Sequence, residues 1–139
     1  MDIKKQPGIN FKSIIMVSSN FYREADIPKG MEIEIDIKVS SHINEQQTEA
    51  DLDLIFTIRG IKDDIQVLRL ESRFIGYFES DGDSPNMNLN QFLNENAPAL
   101  MFPYIREYVS NTTSRAGISP IIIPPINILA LIKESEQKN

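Results

Sequence analysis

The run Met31-Glu-Ile-Glu-Ile-Asp-Ile-Lys-Val39 constrains the fold more than any other stretch of the chain, with five apolar residues at odd positions alternating with four charges at even ones. Side chains of a strand project to opposite faces in turn, so this is a strand with one buried and one wet face. The same alternation returns at Ala50, Leu52, Leu54, Phe56 and Ile58, set against Asp51, Asp53, Thr57 and Arg59, with only Ile55 out of step. A third run covers Ile65 to Phe78, where Leu68, Leu70, Phe74 and Phe78 oppose Arg69, Glu71 and Arg73. An earlier one lies near Ile9 to Val17, where Phe11, Ile15 and Val17 alternate with Asn10 and Lys12. The polar stretch Ser40 to Glu49 and the short link Gly60 to Asp64 suit hairpins, while Arg23 to Gly30, with Pro28, reads as a crossing loop. Four such strands predict an antiparallel sheet with one face left to water.

The character changes after Ser80 to Asn88, which is turn chemistry. Ala97, Leu100, Met101, Tyr104, Ile105 and Tyr108 recur at three- and four-residue spacing, one stripe of an amphipathic helix. Asn96 is placed to cap it, Pro98 suits its first turn, and Pro103 predicts a kink or an irregular start. Gly117 and Pro120 stop the helix, and a last short helix is expected from about Ile126 to Glu136. Strands first and helices second imply an α+β fold: a four-stranded antiparallel sheet with two helices packed on one face, as a single domain over residues 1–139.

Charge and composition then remove whole classes of function. The chain carries 20 acidic and 14 basic residues, a net charge of −6, and its lysines and arginines gather into no patch, so nucleic-acid binding is not expected. With no cysteine, disulfides, thiolate metal sites and cysteine nucleophiles are excluded. No secretory signal is expected at the amino terminus, and the apolar stretch Ile118 to Ile132 is too short and too broken by prolines to span a bilayer. A cytoplasmic location, no membrane insertion and no cofactor are the expectations. His42 stands alone in a polar connection; Asp81-Gly82-Asp83 lacks the later ligands of a calcium loop; Asn111-Thr112-Thr113 matches a glycosylation sequon in a helix. None of them makes a catalytic or metal site.

Two features remain. Glu32, Glu34 and Asp36 share the wet face with Asp51 and Asp53, and pairing about the 40–49 connection would set Asp36 beside Asp53. Such a face is either solvated or a docking surface for a basic partner; carboxylate catalysis is remote, since an open sheet supplies no dry pocket. The carboxyl-terminal third, meanwhile, carries more isoleucine and leucine than one loop and helix can bury. That surplus packs the core, forms an oligomer interface, or stays open as a groove for apolar polypeptide segments. A polypeptide-binding protein accounts for both features, with a purely structural oligomerisation module as the rival.

The segment Asn96-Ala-Pro-Ala-Leu-Met-Phe-Pro-Tyr-Ile-Arg-Glu-Tyr-Val109 resembles the helix signature of the SecB family of protein-export chaperones, which reads approximately N-A-P-x-x-L-F-P-Y-A-R-E. Ser114-Arg-Ala-Gly117 is similar to its S-R-G-x stop, and Ile123-Pro-Pro-Ile-Asn127 to its L-x-P-V-N entry into the last helix. The sheet resembles it more loosely, in the acidic second strand and in Leu70-Glu71 followed by Gly76-Tyr77-Phe78. Ile128 and Leu129 stand where the family has an aromatic and an aspartate, the crossing loop lacks a tryptophan, and the tail has no long acidic extension.

The resemblance implies a chaperone without ATP or cofactor, assembled as a homotetramer (a dimer of dimers), that holds unfolded precursor polypeptides for Sec-dependent export. It also implies handover to the SecA motor through an acidic sheet surface, here Glu71 with Asp51 and Asp53. Client contacts are expected at Ile128, Leu129, Ile132 and Leu68, and oligomer contacts at Tyr104 and Tyr108. Because SecB-like proteins also serve antitoxins of toxin–antitoxin systems, an antitoxin is the alternative client.

Overall fold

The alternating runs become the strands of one sheet in the computed structural model, whose described residues are 8–80, 88–123 and 128–138. They are β1 (Ile9–Arg23), β2 (Glu32–Ile43), β3 (Glu49–Lys62) and β4 (Ile65–Ser80), all antiparallel, in the order β1-β4-β3-β2. The β2–β3 turn is closed by Asn44, whose Oδ1 accepts from the Thr48 and Glu49 amides at 2.8 and 2.9 Å. The β3–β4 turn is Asp63-Asp64, both left-handed at φ 51° and 64°. A two-residue turn of that conformation matches the twist of the strands it joins.

β1 does not pair with β2. It lies on the far side of β4, so residues 24–31 cross the end of the sheet, where the Glu24 amide donates to the Val67 carbonyl at 2.9 Å. The strand also runs past Val17, where its alternation ends, as far as Arg23. Bulges between Phe11 and Ser13 and between Met16 and Ser18 break its period, and the polar Ser18-Ser19-Asn20 hides the continuation.

Three helices follow rather than the two expected: α1 (Leu89–Glu95), α2 (Ala97–Arg115) and α3 (Ile128–Lys138). The short α1 escapes a propensity argument because it is asparagine-rich. It holds by tertiary contacts, burying Leu89, Phe92 and Leu93 while the Asn88 side chain caps the Gln91 amide at 2.7 Å. Asn96, expected to cap α2, makes no side-chain capping bond. α2 continues through Pro103, whose ring is exposed, and ends at Gly117 with φ 77°.

One sheet face carries the helices. Leu52, Leu54, Phe56, Ile58, Leu68, Leu70 and Phe78 turn toward it and pack with Met101, Phe102, Ile105 and Val109 of α2. Phe78 stacks on Phe11 at 5.1 Å and meets Phe92 edge-on at 5.5 Å, tying β1, β4 and α1 together. The opposite face bears the charged residues. Asp81-Gly82-Asp83 lies outside the described residues.

Candidate functional site

Cross-strand register decides what the charged face can do. Asp36 stands opposite Thr57, and Asp53 opposite Ser40, so the expected Asp36–Asp53 juxtaposition does not form. Each acid instead finds an arginine. Arg59 bonds Asp36 and approaches Glu34 at 3.5 Å; Arg73 Nε meets both Asp53 oxygens at 3.0 Å; Arg69 bonds Glu71 at 2.9 Å. Asp53 holds the Arg73 guanidinium even more firmly protonated than usual, by hydrogen bonding first and by charge second. The three expected docking acids do share this face, but Glu71 stands opposite Thr57 whereas Asp51 stands opposite Tyr77. The six positions from 71 to 77 along β4 amount to about 20 Å. Asp36, Asp53 and Glu71 are thus paired locally with arginines, while Asp51 has only His42, at 3.9 Å.

The expected client residues divide. Leu68 is fully buried and Ile128 is 4% exposed, so both are core in this arrangement rather than groove. Leu129, half-buried, and the rim of Ile132 line a cavity of about 590 Å³ between α1, α3 and β2, with Val39, Leu93 and Pro98 as further apolar walls. Glu95, Lys133 and Glu136 also line it. Of the expected interface tyrosines, Tyr104 is 49% exposed and touches Phe11 edge-on. Tyr108 is used within the chain, its ring against Phe74 and its hydroxyl donating to Ser19 Oγ at 2.5 Å.

Sequence reasoning missed three positions that shape these surfaces. Arg23 latches the crossing loop to α2, donating to the carbonyls of Ala116 at 2.6 Å, Ala25 at 2.8 Å and Glu24 at 2.8 Å. It lines a second cavity, about 440 Å³, with Ile27, Met31 and Ile118. Thr113 is wholly buried; its hydroxyl donates to the Val109 carbonyl and accepts from the Ile121 amide at 3.0 Å, anchoring the chain beyond α2. Ser135 of α3 accepts from the Ile37 amide of β2 at 2.9 Å. Nothing marks Arg23 or Thr113 in one sequence. Ser135 could have been found, since Ile128, Ile132 and Ser135 fall on one helical stripe.

No three histidines, aspartates or glutamates among the described residues are grouped to hold a metal. None of the described helices is long and apolar enough to cross a membrane. The cavities beside Leu129 and beside Arg23 are both part-apolar.

The family model for the preprotein translocase subunit SecB matches residues 11–139. The chain belongs to the SecB family. Among curated relatives, an uncharacterised protein of Methanocaldococcus jannaschii is 26% identical over 100% of this chain and 94% of its own length. The protein-export protein SecB of Burkholderia vietnamiensis is also 26% identical, over 96% of this chain and 86% of its own. Among solved structures, a Mycobacterium tuberculosis SecB-like chaperone in complex with a ChAD peptide from the HigA1 antitoxin superposes with a TM-score of 0.75 at 14% identity. That match covers 86% of this chain and 91% of the other and establishes the shared fold. Family and fold together support a chaperone role.

Proposed function

We propose that this chain is an ATP-independent chaperone that binds unfolded or non-native polypeptides, chiefly precursors for Sec-dependent export. The observation that carries the reading is the SecB family match, which runs through both the sheet and the helices that frame the grooves. Burying apolar client side chains against Val39, Leu93, Leu129 and Pro98 stabilises a complex without nucleotide, because removing about 100 Å² of apolar surface from water contributes roughly 2.5 kcal/mol. Residues 1–139 act as one chaperone domain in the cytoplasm, and the working form is a homotetramer built as a dimer of dimers. The exposed edge of β1 supports assembly, since Ile15, Met16 and Val17 are 44–46% exposed, as does the exposed ring of Tyr104. SecA is the proposed receiver, docking on the face that carries Glu71, Asp53 and Asp51.

A second reading, an antitoxin as client, is favoured by two observations. Asp36, Glu71 and Asp53 are each paired with an arginine, and the structural relative carries an antitoxin peptide. Titrating the protein, without nucleotide, into a fluorescent polypeptide kept unfolded by mutation tests the chaperone reading. Binding of the unfolded chain and not of its folded parent supports it; equal neglect of both contradicts it. An export precursor and an antitoxin tail offered in competition then separate the two clients.

A further inference from the structure

Three cations of this acidic chain stand apart from its ion pairs. Among the described residues those pairs engage Lys12, His42, Arg59, Arg69 and Arg73, and none engages Arg23, Lys29 or Lys62. The sequence scatters these three, and the fold brings them to one place. Arg23 and Lys29 line the cavity of about 440 Å³ between the crossing loop and the residues that follow α2. Gly30 lines it too, and the Lys62 ammonium lies 3.2 Å from where a Cβ at position 30 would stand. The acids of the same loop are turned elsewhere. Glu24 bonds the Tyr22 hydroxyl, and neither Glu24 nor Asp26 lines the cavity.

Arg23 also has donors to spare. A guanidinium carries five N–H groups; three donate to the carbonyls of Glu24, Ala25 and Ala116, and two remain. Its charge is held in place by neutral carbonyls and is not cancelled by them. The half-buried Ile27, Met31 and Ile118 supply aliphatic walls, and the cavity has no aromatic ring on which a nucleobase could stack. We propose that this cavity is a binding site for a small aliphatic carboxylate. Its two oxygens accept from the two spare Arg23 donors, Lys29 and Lys62 add charge, and its hydrocarbon chain lies against Ile27, Met31 and Ile118. The volume falls within the usual range for small-molecule sites. Such a site is separate from polypeptide binding and stands or falls without it.

A bound carboxylate touches both sides of the crossing: the loop through Arg23 and Lys29, the end of β3 through Lys62, and the chain beyond α2 through Ile118. Binding therefore ties the loop down and lowers the population in which residues 24–31 open. A neutral amide of the same shape loses the charge-assisted bonds. Acetate keeps the charge but has almost no apolar surface to bury. The two halves of the ligand can thus be removed one at a time.

The test titrates octanoate, octanamide and acetate into the full chain while backbone amide resonances are followed by NMR. Octanoate should move the resonances of Ile27, Met31 and Ile118, with octanamide about tenfold weaker and acetate weaker still. Lys29→Gln with Lys62→Gln should weaken octanoate about threefold to tenfold and leave the urea midpoint of the free protein unchanged. Octanoate should also slow proteolysis at residues 24–31 in wild type, and less so in the double variant. Equal binding of octanoate and octanamide, or shifts at Leu93 and Leu129 in place of Ile118, reduces the effect to apolar partition and overturns the site. No shift below the concentration at which octanoate forms micelles overturns it as well. A leucine-ended peptide that displaces octanoate, and no longer does so when its carboxyl end is amidated, makes a chain end the occupant and overturns the small-ligand assignment.

Discussion

Gly76 of β4 leaves the space that Met101 of α2 fills: a Cβ built at position 76 would stand 2.8 Å from the Met101 sulfur and 3.1 Å from its Cγ. Met101 is wholly buried, so it has nowhere to retreat. We expect Gly76→Ala to destabilise the fold by about 1–3 kcal/mol, the usual cost of overfilling a core. Gly60→Ala meets the half-buried, flexible Met31 side chain instead and should cost less. Urea unfolding of the two variants checks the order, and equal stability to wild type at position 76 would refute the packing account.

The hairpin turn offers a change of opposite sign. Asp63 and Asp64 both sit in the left-handed region, which asparagine and glycine occupy at lower cost. Asp63→Asn with Asp64→Gly should stabilise the protein by about 0.5–1 kcal/mol. The same urea titration reads it as a raised midpoint with an unchanged slope.

That turn also shows where sequence reasoning stopped. The alternation of β2, β3 and β4 made the sheet and its two faces legible, because a half-buried strand must repeat every two residues. Alternation does not fix register. A hairpin centred on Lys62 would put Arg73 opposite Asp51, but the main part of the β3–β4 ladder is centred on residue 64, and Arg73 stands opposite Ile55 with its guanidinium on Asp53. Moving the centre by two residues moves every partner by four, and the Gly60–Ile61 irregularity that accompanies the shift leaves no mark in composition. The groove residues were half legible for a similar reason. Ile128, Leu129 and Ile132 stand out as apolar residues of the last helix, but whether each meets solvent depends on β2 and α1 approaching from elsewhere in the chain.

Arg23 is the prediction for the crossing loop. Its three carbonyl contacts join residues 24 and 25 to the end of α2. Arg23→Ala should cost about 1–3 kcal/mol, in line with losing hydrogen bonds from a charged donor, and should quicken proteolysis at residues 24–31. Lysine supplies a single point donor in place of a planar fork, so Arg23→Lys should recover only part of the loss. Cleavage rates unchanged in both variants would remove the latch.

On the charged face, Arg69→Ala with Arg73→Ala frees Glu71 and Asp53 from their partners. Solvent screens pairs of this kind and they add little to stability, so folding should barely change. Attraction of a basic partner depends on summed charge and should rise. We expect weak, salt-sensitive SecA binding by wild type, stronger binding by the double variant and none by Glu71→Lys. Isothermal titration at low and moderate salt measures it. Tight binding indifferent to all three substitutions would place docking elsewhere, and no binding at any salt would favour the antitoxin as client.

The chaperone activity itself is tested most directly by following light scattering from a slow-folding client diluted out of denaturant, with this protein present and no nucleotide. The account predicts that equimolar protein, counted per client-sized complex, suppresses the scattering and that adding ATP changes nothing. Scattering that rises as fast as with an inert protein of the same size would contradict it.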